Sequence, residues 1–225
     1  MKLLSADRPR VEFVKTLLFS TCASLLLFVI DALRNKDWGF SYLVWNLFLA
    51  WLPLLFAGWL VACLKRKRWS SWEGIAASLL WLLFLPNSFY MVSDYIHLEN
   101  VQRVDILYDA VMFTSFIFVA IVLGISSLYL VHQEFRKRFS ENESNGWLGV
   151  IFLLCSFAIY LGRDLRWNSW DVLTNPAGLL FDISDRLLHL SEYPGMLLTV
   201  LIFFILIASM YICAHKTIQI IRKSA

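Results

Sequence analysis

The chain has 225 residues, of which 59% are hydrophobic and 16% aromatic, and only 16% are charged, against roughly 25% in a soluble domain. That balance excludes a soluble enzyme and argues against nucleic acid as a partner, because the formal net charge of +3 arises from bases in short connections. One helical crossing of a bilayer takes about 20 apolar residues, so residues 1–225 have room for about six crossings in a single membrane domain and for no separate soluble one.

The first crossing is predicted over residues 14–32. Lys2, Arg8 and Arg10 precede it as they would in a signal peptide, but Glu12 and Lys15 intrude and no small-x-small cleavage site follows, which favours a retained helix. The second crossing covers 40–64, with Pro53 expected to kink it, and stops at Lys65-Arg66-Lys67-Arg68. That basic block places residues 65–71, and with them both termini, in the cytoplasm.

A third helix starts at Trp72 and meets Pro86-Asn87 after about 21 Å, short of a full crossing, which predicts a break inside the outer leaflet. Interrupted helices and ionisable groups persist in hydrocarbon mainly where protein or a water-filled cavity receives them. Beyond the break, Asp94 and His97 share a face at i and i+3 near the outer boundary. The polar stretch 99–104 leads to Asp105, an expected N-cap for a fourth helix to residue 131 with Tyr108 and Asp109 in its first turns.

After Arg136-Lys137-Arg138 and the hydrophilic run 140–145, a fifth helix is predicted from Trp147 to Gly162, also short. It delivers the polar and aromatic cluster Arg163–Asp171 to the same outer side. Asn175-Pro176 then breaks the chain. Residues 177–190 read as an interfacial amphipathic helix, with Asp182, Asp185, Arg186 and His189 on one face, and a last crossing runs to residue 213. The expected fold is all-α and polytopic: about six transmembrane helices plus one interfacial helix outside. The four cysteines, Cys22, Cys63, Cys155 and Cys213, read as small buried residues within apolar runs.

The stretch Leu85-Pro86-Asn87-Ser88-Phe89-Tyr90-Met91-Val92-Ser93-Asp94-Tyr95-Ile96-His97-Leu98 resembles the signature of a bacterial integral-membrane family, domain of unknown function 1361. Tyr108-Asp109, and Tyr160-Leu161-Gly162-Arg163 through Arg166-Trp167-Asn168-Ser169-Trp170-Asp171, are similar to its second and third motifs. The resemblance implies a bacterial cytoplasmic-membrane protein and adds no activity, substrate or cofactor.

The residues themselves assign candidate roles. His97 suits acid/base chemistry with Asp94 orienting it. Arg163 and Arg166 suit an oxyanion clamp or pairing with nearby aspartates, and Asn87, Asp109, Asn168 and Asp171 complete a ligand-binding set. Carboxylates and histidines on one side are also donors for a divalent ion, although their spacing names no metal and leaves the cofactor open. Trp167 and Trp170 read first as interfacial anchors and second as a stacking surface. Glycine-rich phosphate loops, Gly-x-Ser-x-Gly and His-Glu-x-x-His are missing from the sequence. Three readings stay open: an enzyme acting on a lipid or envelope-precursor headgroup, a small-solute transporter, and a non-catalytic membrane assembly protein. The bilayer is the one partner expected in all three, with a lipid or anionic small molecule as ligand and no protein partner specified.

Overall fold

The computed structural model describes residues 2–100 and 106–224, with side chains over residues 11–98 and 106–224. Helices α1 (Lys2–Asn35), α2 (Ser41–Leu64) and α3 (Trp72–Tyr90) are followed by a 3-10 segment, Met91–Asn100. Then come α4 (Ile106–Arg136), α5 (Glu141–Asp164), the short α6 (Asp171–Thr174), α7 (Pro176–Leu188) and α8 (Pro194–Ser224). In hydrocarbon a segment must satisfy its own backbone, so apolar runs of this length become helices. Six of these segments are long and apolar enough to cross a membrane, and the chain is an all-α polytopic membrane protein.

The helix ends are capped from the sequence. Ser71 accepts the Gly74 N–H at the start of α3, and Asn175 accepts the Gly178 N–H ahead of Pro176 in α7. Ser140 and Glu143 form a reciprocal capping box. The expected cap at Asp105 lies outside the described residues.

Two expectations fail. First, α3 does not break at Pro86 but continues to Tyr90 and passes into the 3-10 segment, giving a 27-residue span, Trp72–Leu98. Proline removes one helical donor and crowds the preceding turn. The carbonyls of that turn take side-chain donors: Asn87 Nδ2 donates to the Phe84 carbonyl at 3.0 Å, and Ser169 Oγ to the Leu83 carbonyl at 3.3 Å. Second, α5 is not short. The hydrophilic run that reads as a loop is its first turn, so 24 residues, about 36 Å, are helical. The same effect lengthens α4 and α8 past their apolar runs, because Lys, Arg, Glu and Gln are good helix formers. The cysteines also differ from expectation: Cys155 is buried, whereas Cys22 and Cys213 are exposed on spanning helices.

At the centre, α2 packs on α3 and α4, while α5 bridges α3 and α8, and α1 leans on α4. Leu60, Leu85, Phe89 and Ile207 fill one part of the core, and Leu43, Met112, Phe116 and Leu123 the other. Gly124 permits the α3–α4 contact, since a Cβ there would lie 2.7 Å from the Ser88 Cβ and 2.9 Å from the Phe89 ring. Outward-facing Leu79, Phe118 and Leu198 are exposed, as lipid-facing positions should be.

The basic connections gather at one end of the bundle, where Arg138 lies over Trp69 and Arg222 over Tyr129. Buried Glu134 there accepts from Lys137 at 2.5 Å and Arg138 at 2.7 Å. His132 Nδ1 bonds the Tyr211 hydroxyl at 2.7 Å, and His215 stacks on the same Tyr211. His132 Nε2 and His215 Nδ1 are buried without a hydrogen-bond partner among the described residues. The opposite end carries the 3-10 segment, α6 and α7.

Candidate binding site

The turn after α5 builds one wall. Leu165 caps the helix and Arg166 adopts φ 60°, a left-handed conformation that lets the Trp167 N–H return to the Leu161 carbonyl at 3.1 Å. Gly162 suits this close turn, because a Cβ there would sit a tight 3.3 Å from the Trp167 carbonyl oxygen. The chain then runs back across the bundle end. Ser169 Oγ receives Asn87 Nδ2 at 3.1 Å, and Trp170 meets the Trp45 ring of α2 edge-on at 6.5 Å. The Asn87 amide, bonded within α3, thus also fastens the loop over it.

Helix α7 is pinned alongside. Trp167 Nε1 donates to Asp182 at 2.8 Å, Arg186 Nε to the Tyr160 hydroxyl at 3.2 Å, and the Arg186 guanidinium lies 3.8 Å above the Tyr193 ring. Tyr193 also donates to Asp185 at 2.8 Å, which holds that carboxyl below its ordinary range. The other face of α7 presents Leu180, Phe181, Leu187 and Leu188, all exposed, in keeping with an interfacial helix.

Between the 3-10 segment, α2, α3, α5 and the Trp167–Trp170 loop lies a cavity of about 450 Å³. Asp94 lines it although the residue is only 2% exposed, and Asn46 Nδ2 donates to its Oδ2 at 3.0 Å. His97 lines it too. Its imidazole rests against Tyr42, with ring centroids 5.1 Å apart, and Asn46, not His97, holds the Asp94 carboxylate. Asp94 and His97 still share one side, because residues three apart eclipse in a 3-10 helix.

Of the other expected site residues, Asn87 and Asn168 line the cavity. Arg163 and Arg166 are exposed and lie outside its lining, and so does Asp109, which is buried near the start of α4. Asp171 is a structural acceptor: the Asn168 N–H at 2.7 Å and the Thr174 hydroxyl at 2.9 Å bond its carboxylate, and the first of these chiefly holds it below its ordinary range. The metal expectation finds no centre, since among the described residues no group of three or more histidine, cysteine or acidic side chains converges.

Sequence reasoning passed over Tyr42, Trp45, Asn46 and Tyr90, all of which line the cavity. A usable signal existed in Asn46, an amide inside an apolar run of spanning length. Trp167 and Trp170 are cavity walls as well.

The sequence signature described as "Protein of unknown function (DUF1361)" matches residues 45–210. The chain belongs to the DUF1361 family. The DUF1361 match runs from Trp45 in α2 to Met210 in α8, so it contains Asp94, His97 and the Trp167–Trp170 loop and omits α1. No curated protein and no solved structure matches. The family carries no activity to this chain, and the chemistry available is that of the cavity: a carboxylate, an imidazole and side-chain amides within aromatic walls.

Proposed function

We propose that this is a multi-pass protein of the bacterial cytoplasmic membrane, with both termini cytoplasmic, which binds and acts on the headgroup of a lipid or envelope precursor at its outer face. The observation that carries this reading is the buried Asp94 carboxylate opening on an aromatic-walled cavity at one end of the membrane spans. The basic connections at the opposite end support the orientation. The exposed apolar side chains of α7 support a cavity at headgroup level, where an amphiphile arriving from the bilayer meets it.

In this reading Trp45 and Trp170 hold the ligand by apolar contact, Asn87 and Asn168 orient its polar atoms, and His97 moves the proton. Asp94 supplies negative charge to the reacting end. A carrier draws less support, because Leu85, Phe89, Phe116 and Leu123 fill the core with no exposed surface.

Native mass spectrometry of protein extracted from its own membranes tests the reading. An amphiphile should accompany the wild type and be depleted in Trp170→Ala and Asp94→Asn. An identical bound population in all three would count against a headgroup site.

A further inference from the structure

The cavity's own electrostatics narrow the class of ligand. Asp94 is as buried as any charged side chain described, and its one hydrogen-bond partner among the described residues is the neutral amide of Asn46. The lining contains neither lysine nor arginine. Burying a carboxylate costs far more than one amide donor returns, so the group needs either a proton or a cation beside it. Glu134 is a buried carboxylate treated differently, with two cationic side chains from the turn just after its helix bonded to it.

The rest of the wall suits a cation. Tyr42, Trp45, Tyr90, Trp167 and Trp170 line the same space, and indole and phenol faces attract a positive nitrogen through the ring quadrupole. The carboxamide oxygens of Asn87 and Asn168 are acceptors for N–H donors. An anionic group held deep in this cavity would instead face Asp94 without a lysine or arginine in the lining to offset it.

We propose that the cavity recognises a ligand carrying an ammonium nitrogen, ion-paired with Asp94 and flanked by the tryptophans. This rests on the reading of the cavity as a headgroup site and names the class of head. Arg163 and Arg166, exposed outside the lining, are then left to meet a phosphate outside the cavity, so a zwitterionic amine headgroup satisfies both ends.

The test uses the full chain in nanodiscs at constant pH. Binding of phosphatidylethanolamine and of phosphatidylglycerol is compared in wild type, Asp94→Asn and Trp170→Ala, with soluble ethanolamine as competitor in the wild type. The expected result is saturable phosphatidylethanolamine binding that ethanolamine displaces and that Asp94→Asn weakens about tenfold or more. Phosphatidylglycerol should be unaffected by Asp94→Asn. If ethanolamine binds alone, with the same Asp94 dependence and no lipid preference, the ammonium chemistry stands and the source is a free amine. If phosphatidylglycerol binds as tightly as phosphatidylethanolamine, ethanolamine does not compete, and Trp170→Ala still weakens both lipids, the ammonium proposal is overturned while the headgroup site survives. If Trp170→Ala changes neither lipid, the headgroup reading fails with it. The wild-type competition decides the matter even if Asp94→Asn does not fold.

Discussion

Asp94 and Glu134 are two carboxylates buried at opposite ends of one helical bundle, at 2% and 3% exposure, and they are treated in opposite ways. Glu134 closes a local network with Lys137 and Arg138 from the turn just after its helix. Asp94 receives a single amide from α2 and faces open space. A charge neutralised by its own chain is part of the scaffold. On the proposed reading, a charge left for something else to neutralise is a site, and a cavity lies beside Asp94.

Substitutions can break this contrast, and the largest effect is expected where both ends share a support. Gly124 lets α3 approach α4 between them, with Ser88 and Phe89 too close to admit a Cβ. Gly124→Ala should cost about 1–3 kcal/mol of stability and also loosen ligand binding, because the helix bearing the 3-10 segment must shift. Thermal melting together with amphiphile retention measures both, and a fully stable, fully loaded Gly124→Ala protein would mean that the two ends do not depend on this contact.

Glu134→Ala comes next. A fully buried pair broken on one side costs ~3–5 kcal/mol, but the Lys137 side chain is 63% exposed and returns to water, so about 1–2 kcal/mol is expected here. Amphiphile binding at the far end should be unchanged in the folded fraction. Lost binding with intact stability would place Glu134 in the functional machinery and erase the distinction.

The smallest effect concerns α7. Asp185, held below the ordinary carboxylate range chiefly by the Tyr193 hydroxyl, favours the docked helix when ionised. Because the folded-state value is depressed, this contribution is present above about pH 4 and disappears as pH falls through the lower folded value. Hydrogen-exchange protection of residues 176–193, corrected for intrinsic rates, should therefore decline on acidification in the wild type. Asp185→Asn should show the weakened state at neutral pH, and protection equal to wild type there would show that the Arg186 and Trp167–Asp182 contacts hold the helix without it.

Much of this was legible in the sequence because lipid imposes simple rules. Six spans follow from the lengths of the apolar runs, and the amphipathic character of α7 follows from charges spaced on one face. Asp94, His97, Asn87 and Asn168 stand out because polar groups at the end of a spanning run need a reason to be there. The uninterrupted α3 was hidden because one of the side chains bonded to the turn before Pro86, Ser169, comes from a distant loop. The length of α5 was hidden differently: the capping residues Ser140 and Glu143 are plain in the sequence, yet they sit in a run polar enough to read as a connection. Asn46 and Trp45 could be tied to the site only once α2 was known to pack against the 3-10 segment.

The central claim is that Asp94 is kept for a ligand and not for the fold, and the melting temperature of Asp94→Asn in ligand-free detergent tests it most directly. Asparagine keeps the shape and can still accept from Asn46 while removing a buried carboxylate that no lysine or arginine in the cavity lining offsets. The account predicts a melting temperature equal to or above that of the wild type. A fall as large as that of Glu134→Ala would contradict it and return Asp94 to the scaffold.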